Sequence, residues 1–470
     1  MFKEITAISK NFAWIKMEGT TTDDLLNMNV VFEENEKKIL GEVDEIDNGQ
    51  IKVSFLGEFI NGKFQGGIIR KPSLTANVRI INQNELGELV GNNNKKGMIL
   101  GLSPLYGNCP IKIDIDDMWS NHNAFFGNTG SGKTYGVSRF VQNLFNMSDK
   151  IPFNSNIFIF NNTDELNLNV DVPGIGYTRQ FRKCFEIDSK GEFSERILIA
   201  EYIQQFVDNT TKWNEDYVPI YFTLDDLEVA LNFALISEGL LLNEKTSSEA
   251  MALKVKLHTI NNSSYKNLFN CDKFCTSSEF ITNIIMVGSN KRAQIINFVL
   301  EDIDDRFAKA IVKVYCRIIF KFSKGLRDRG AMPIHLMLEE AHRYVQKDYD
   351  VEILGYNIFE RIAKEGRKFG VIMDLITQRP TELSETVISQ CTNFLIFKIT
   401  HPSDLDYIKK MVPNISNDVI EKQKTLQAGT CVAFGKMMKI PMIVKMQLPN
   451  PEPHSSNASI YDKWMIEINK

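Results

Sequence analysis

The residues with the clearest chemical potential lie in "FFGNTGSGKTYG", positions 125–136. Gly127, Gly132, Lys133 and Thr134 fit the spacing G-x-x-x-x-G-K-T. In that pattern the backbone N–H groups of a glycine-rich turn cradle phosphate oxygens, the lysine reaches the outer phosphates and the hydroxyl ligates magnesium. The expected nucleotide-binding residues are Gly127, Asn128, Thr129, Gly130, Ser131, Gly132, Lys133, Thr134 and Tyr135, with ATP and Mg2+ as the ligands. An ordinary glycine-rich turn is the plain alternative, and the flanks argue against it. Ala124, Phe125 and Phe126 precede the loop, and Val137, Phe140, Val141 and Leu144 follow it at helical spacing. Strand, loop and helix are the context the motif requires.

A phosphate loop alone does not mean hydrolysis, since kinases and switch proteins share it. Hydrolysis needs a second strand end bearing carboxylates, one for the magnesium shell and one to polarise the attacking water. "HLMLEEAHRYV" supplies them: Glu339 is assigned to magnesium and Glu340 to the water. The competing explanation is a solvated acidic pair that opens a helix. Negative charge on the transferred phosphoryl oxygens also calls for a further cation, because Lys133 is one charge against several.

These groups need a sheet to hold them. "NIFIFN" (156–161), "QIINFVLED" (294–302), "PIHLMLEE" (333–340), "GVIMDLITQ" (370–378) and "NFLIFKIT" (393–400) are nearly continuous apolar runs, as in buried parallel strands. They predict an α/β core. The first hundred residues differ: Asn48-Gly49 and Asn61-Gly62 separate short alternating runs such as "IKVSF", which reads as hairpins in a small β-barrel. "GNNNKKG" (91–97) is a turn or linker. Between the core strands, 191–285 reads as a helical insertion, with Leu224, Leu227, Leu231 and Leu235 on one face. The division is 1–100 barrel, 101–190 and 286–448 the two parts of the core, 191–285 insertion, and 449–470 an extended tail.

The 470 residues carry 54 Lys and Arg against 59 Asp and Glu, a net charge of −5 that neither advertises nor excludes a nucleic-acid partner. Local distribution says more. Residues 1–50 hold five lysines against eleven acids, while 306–329 hold eight basic residues against Asp328 alone. In that basic stretch Lys309, Lys313, Arg317 and Lys321 recur every fourth residue, on a solvated helix face or one contacting phosphates or a neighbouring subunit. The seven cysteines form no C-x-x-C pair, which argues against a zinc site and a disulfide framework. No apolar run is long enough to span a bilayer, and "MFKEITAISKNFAWIK" has charges where a signal peptide needs its apolar centre. A cytoplasmic location without membrane association is the expectation.

The ordered pieces "GNTGSGKT", "EEAH", "RIAKEGRKFG" and "ITQRP", with the barrel before them, the insertion, and the closing strands around "AGTCVAFG" and "PMIVKM", resemble the HerA family of hexameric DNA-translocating ATPases. The resemblance implies an N-terminal barrel, a RecA-like P-loop core, and a homo-hexameric ring around double-stranded DNA with ATP at subunit interfaces. It further implies that Gln378 senses the γ-phosphate and that Arg361 or Arg367 reaches into the neighbouring subunit's site. For either arginine, a salt bridge or a solvated helix face is the alternative. The family resemblance also implies a separate effector on the barrel, either a NurA-like or other nuclease or a sirtuin-like NAD hydrolase, in DNA end processing or antiphage defence. A nucleotide-gated ring scaffold with no processive movement on DNA is the competing function.

Three positions depart from the family pattern. Glu339 stands where relatives commonly have Asp. Asn121 stands where many have an arginine before the strand into the phosphate loop. "NNTDEL" keeps an acid at Glu165 but loses the leading Asp of Asp-Pro-His-Gly-Glu-Tyr.

Overall fold

The computed structural model describes residues 2–18, 25–92, 94–147, 152–161, 176–181, 291–301, 305–346, 357–411 and 424–454, with isolated residues between these stretches. Apart from isolated positions, the expected insertion over 191–285 lies outside the described residues, as do Glu165 and the tail beyond 454.

Seven strands come first: β1 (Phe2–Ile8), β2 (Phe12–Met17), β3 (Asn29–Glu34), β4 (Lys37–Asp47), β5 (Gln50–Ile60), β6 (Lys63–Gly66) and β7 (Asn77–Ile80). They pair antiparallel in the order β1-β2-β5-β4-β3-β7, with β6 beside β5. The hairpin turns fall where the Asn-Gly pairs predict them. Asn48 and Gly49 have φ of 46° and 76°, and Asn61 and Gly62 have 51° and 77°, the left-handed pair that matches strand twist in a two-residue turn. Ile15, Val30, Val43, Ile51 and Val53 form the fully buried inner face. Among the described residues no ladder joins β1 to β7.

The chain then enters a larger sheet through α1 (Gln83–Leu89), whose capping box joins Asn82 and Glu85. In chain order there follow β8 (Gly97–Ser103), β9 (Cys109–Asp114), α2 (Ile115–Trp119), β10 (Asn123–Phe126), α3 (Lys133–Phe145), β11 (Ile157–Asn161), β12 (Asp171–Val172) and β13 (Gly176–Phe181). After the hairpin β14 (Met286–Val287) and β15 (Lys291–Arg292) come β16 (Ile295–Val299), α4 (Asp305–Gly325), β17 (Ile334–Glu339) and α5 (Ile358–Glu365). The series closes with β18 (Val371–Thr377), α6 (Glu385–Gln390), β19 (Asn393–Phe397), α7 (Pro402–Met411), β20 (Thr430–Gly435) and β21 (Met442–Lys445). The twelve strands run β12-β13-β16-β11-β17-β18-β10-β19-β20-β21-β8-β9. From β13 to β19 every pairing is parallel, and from β19 to β9 every one is antiparallel.

Both faces of the parallel part are covered, which is why its strands read as unbroken apolar runs. Side chains alternate through β10: Ala124 and Phe126 join the core under α4 and α5, whereas Phe125 packs with Val137, Phe140 and Val141 of α3. The second core continues into Val31, Leu40 and Phe59 of the first sheet, so the two sheets share apolar packing. Polar ties reinforce that seam. Tyr106 donates from its hydroxyl to Asn29 Oδ1 and accepts from the Asn29 N–H, both at 2.8 Å, and Lys422 meets Glu42 of β4 at 2.5 Å. The start of the expected tail is also held, since Asn450 N–H donates to Gln142 of α3 and Gln142 donates to the Pro451 carbonyl.

One expectation needs correction, and one departure from the family pattern gains a structural setting. The basic stripe on α4 is not a solvated face at its centre: Lys313 is 2% exposed and Arg317 5%. A four-residue repeat advances about 40° per step on a helix, so the stripe turns under its neighbours between its two half-buried ends, Lys309 and Lys321. Asn121, at the position where relatives place arginine, is fully buried, and its Nδ2 donates to the Asp117 carbonyl at the end of α2.

Toward the strand ends remote from the phosphate loop, polar side chains bridge the core. His335 of β17 has one ring nitrogen 2.7 Å from Asp374 Oδ2 and the other 2.7 Å from the Trp119 carbonyl. Asn123 donates to Asp374 Oδ1 and accepts from Asn393. His122 accepts at Nδ1 from the Met373 N–H. Burial pushes the His122 imidazole down to about 4; Arg367 and His335 push the same way, against Asp374 and the Ala363 carbonyl. A histidine depressed on folding adds stability that is complete above its unfolded value near 6.5 and is lost as pH falls toward 4. The melting temperature is therefore expected to drop between pH 6.5 and 4, through a loss of about 3 kcal/mol at full effect. His122→Asn keeps an acceptor for Met373 but cannot charge, and its melting profile should be flatter in that window. Parallel profiles for the two proteins would contradict this.

Candidate active site

The phosphate loop leaves β10 at Phe126 and enters α3 at Lys133. Gly130 and Gly132 have φ of 76° and 83°, the left-handed region that only glycine enters without strain. Gly132 is also pressed against Gly429: a Cβ there would lie 2.4 Å from the Gly429 nitrogen, whose N–H donates to the Ser131 carbonyl. The turn before β20 thus clamps the loop from outside. Gly127 N–H donates to the Thr377 carbonyl and Asn128 N–H to that of Lys398, fixing the loop to the strands on either side. The Asn128 side chain adds a bond to Thr400 at 2.9 Å.

Register brings the other groups to the same level. Phe126 pairs with Thr377, and Glu339 with Ile376 on the far side of β18, so the acidic strand end stands about 10 Å from β10 at loop height. Long side chains close that gap. Lys133 Nζ lies 3.6 Å from Glu340 Oε1, with Lys133 only 7% exposed. Thr129 donates to Gln378 Oε1 at 2.7 Å. The loop lysine, the second carboxylate and the strand-end glutamine therefore meet in one place.

Glu340 leaves the strand in an unusual way. Its φ and ψ are 49° and 48°, a left-handed conformation uncommon outside glycine and asparagine, before the tight turn Ala341–Arg343. That twist aims its carboxylate toward Lys133 while Glu339, 4% exposed, stays in the ladder. Burial acts to raise the Glu340 carboxyl, but the His342 contact, the Lys133 charge and the Gln378 backbone N–H outweigh it and hold the group below the ordinary carboxylate range. A carboxylate ionised at neutral pH can accept a proton from water.

His342 was not singled out from the sequence, although it stands within "EEAH". It is 9% exposed, with Nδ1 2.9 Å from Thr377 Oγ1 and 3.2 Å from Glu340 Oε2. Of the remaining expected residues, Thr134 and Tyr135 lie half-buried in the first turn of α3. Arg361 on α5 stands over the Phe320 ring and pairs with Glu365 at 3.9 Å. Arg367 is exposed on the turn Gly366–Phe369, which enters β18 at the end opposite Gln378.

The residues fit a nucleotide triphosphate with magnesium. The Ser131 hydroxyl is buried without a hydrogen-bond partner, the α3 N-terminus presents free N–H groups, and Lys133 is the buried cation beside them. Thr134 and Glu339 would hold a magnesium ion, which would supply charge neutralisation at the phosphate oxygens.

Known proteins share the sequence pattern around this loop. Residues 84–160 match the central domain of helicase HerA. The chain is a P-loop ATPase similar to HerA helicases. It is 28% identical over 369 residues to the DNA double-strand break repair helicase HerA of Saccharolobus solfataricus, covering 76% of this chain and 70% of that protein. The Pyrococcus furiosus protein of the same name is 22% identical over 398 residues, covering 74% and 69%. Among solved structures, the bacterial conjugative coupling protein TrwBdeltaN70 superposes with a TM-score of 0.50 at 11% identity, over 80% of this chain and 94% of that one. That likeness concerns the fold, an α/β P-loop ATPase core. Among the described residues no helix is long and apolar enough to cross a membrane.

Substitutions at the two partners of the ion pair should separate binding from hydrolysis. Lys133→Ala removes a phosphate contact and is expected to weaken ATP binding and turnover together. Glu340→Gln keeps the shape but removes the base, so ATP should still bind and remain unhydrolysed. Equilibrium binding of labelled ATP beside single-turnover hydrolysis checks this, and equal loss of binding in both variants would contradict the roles.

Proposed function

We propose that this chain is the motor subunit of an ATP-driven DNA translocase or helicase, and that six copies form a ring around double-stranded DNA with ATP at the interfaces. The observation that carries the reading is the meeting of Lys133, Glu340 and Gln378 at one level of the sheet, in a chain similar to HerA helicases. Lys133 and the loop residues 127–135 hold the phosphates, Thr134 and Glu339 hold magnesium, and Glu340 takes the proton of the attacking water. Gln378, hydrogen-bonded to the loop through Thr129, registers the γ-phosphate.

Arg361 or Arg367 completes the site of the adjoining subunit. Both lie on the segment between β17 and β18, and the exposure of Arg367 suits a residue that works across an interface. In this reading the N-terminal sheet is a small barrel, residues 191–285 are a helical insertion in the core, and the tail follows from 449. The barrel docks a separate effector, a nuclease or a sirtuin-like NAD-cleaving enzyme, in DNA end processing or antiphage defence. Its first fifty residues, with eleven acids against five lysines, offer a surface for a basic partner.

Mixed rings test the shared site. An Arg→Ala protein and a Glu340→Gln protein are each expected to be inactive, while subunit exchange creates some interfaces with an intact arginine facing an intact glutamate. An arginine finger contributes on the order of a thousandfold in turnover, so those interfaces should stand clear of background. Recovery with one arginine variant identifies the finger. Exchange without recovery for either arginine, in rings whose activity falls only in proportion when Glu340→Gln is doped into wild type, would refute a trans arginine. The barrel is tested separately: removal of residues 1–80 should abolish capture of the effector, and undiminished capture would overturn the docking role.

A further inference from the structure

Glu340 carries the heaviest chemical demand in the site, yet its backbone leaves the strand in a left-handed turn and its side chain must bridge to Lys133. An ion pair alone would draw the carboxylate onto the lysine, where it would neither face water nor leave Lys133 for the phosphates. A second hold is needed. We propose that His342 is the positioning residue that keeps the Glu340 carboxylate between the lysine and the water, and ties it to the end of β18. The proposal rests on Glu340 being the group that activates water.

The contacts around Nδ1 define the role. Thr377 Oγ1 accepts the Arg379 N–H at 3.0 Å and lies 2.9 Å from His342 Nδ1. Glu340 Oε2, 3.2 Å from the same nitrogen, can only accept when ionised. A proton on Nδ1, hydrogen-bonded to Thr377, places its positive end beside Glu340 Oε2, a buried oxygen that has no aligned hydrogen bond of its own. Lys133 then stands 3.6 Å from Oε1 and His342 Nδ1 3.2 Å from Oε2, and with the Gln378 N–H they hold the carboxylate plane from both oxygens. Because Thr377 precedes Gln378, whose side chain accepts from Thr129 of the loop, this hold also links the base to the strand end that faces the outer phosphate. His342 touches no reacting atom in this scheme and acts through Glu340.

The amide nitrogen of asparagine falls where Nδ1 of histidine lies, whereas that of glutamine falls near Nε2. His342→Ala is expected to lower kcat about ten- to a hundredfold, the size of one hydrogen bond to a charged group, with KM and ATP affinity within about twofold. His342→Asn should regain most of that loss and His342→Gln should not, at matched melting temperatures. Thr377→Val should reproduce the alanine effect and Thr377→Ser should not. In a double-mutant cycle on the slow residual single-turnover rate of Glu340→Gln, followed over long incubation, adding His342→Ala should cost nothing further. Equal kcat for the asparagine and glutamine variants, or losses that multiply in the cycle, would overturn the proposal. Wild-type hydrolysis by Glu340→Gln alone would instead remove the base assignment, and the proposal with it, so the two failures are told apart.

Discussion

A lysine that is 7% exposed has lost most of its water, and its charge must be compensated from within the fold. Here Glu340, 3.6 Å away, does this. The rest of the architecture follows from making that meeting possible. Lys133 opens the helix after β10, and Glu340 lies beyond the end of β17, two strands away. The carboxylate reaches the lysine only if β10, β18 and β17 end at the same height and Glu340 then turns out of its strand. The pairings Phe126 to Thr377 and Glu339 to Ile376 set the height, and the left-handed φ of Glu340 makes the turn.

The same constraint accounts for what lies below the site. Parallel strands buried on both faces have few polar side chains to mark their register, and a slip of one residue would reverse every side chain between the two cores. Asp374 is contacted by His335 from β17 and Asn123 from β10, and Asn393 of β19 extends the chain to a fourth strand. These contacts give the apolar sheet fixed points in register, so that the loop, the carboxylate and Gln378 arrive together at the other end. The Gly132–Gly429 contact does comparable work from outside, holding the loop where a side chain at Gly132 would displace it.

The α/β core strands and the loop that opens α3 were legible in the sequence because each is written in local spacing. Apolar runs of five to seven residues gave the core strands, the Asn-Gly pairs gave the hairpins, and the loop motif gave the helix it opens. What sequence did not give depends on pairing between distant strands. His342 is a single histidine until Thr377, 35 residues on, is brought beside it. His335 and Asp374 likewise belong to different strands and carry no shared motif. The lysines and arginine of α4 look like a solvated stripe because helical spacing is local, whereas the burial of Lys313 and Arg317 depends on what packs over the helix. Arg361 and Arg367 are a different case, since the role assigned to them lies between subunits.

In the proposed function, hydrolysis at Lys133 and Glu340 moves a ring of six copies along duplex DNA. Displacement of a third strand from a triplex by the full-length protein is the most direct measurement, because it requires travel along an intact duplex. A translocating motor should give ATP-dependent displacement whose lag lengthens with the distance between the loading end and the triplex, and the Glu340→Gln protein should give none. Full ATP hydrolysis with the triplex left in place would contradict it and identify the ring as a nucleotide-gated scaffold.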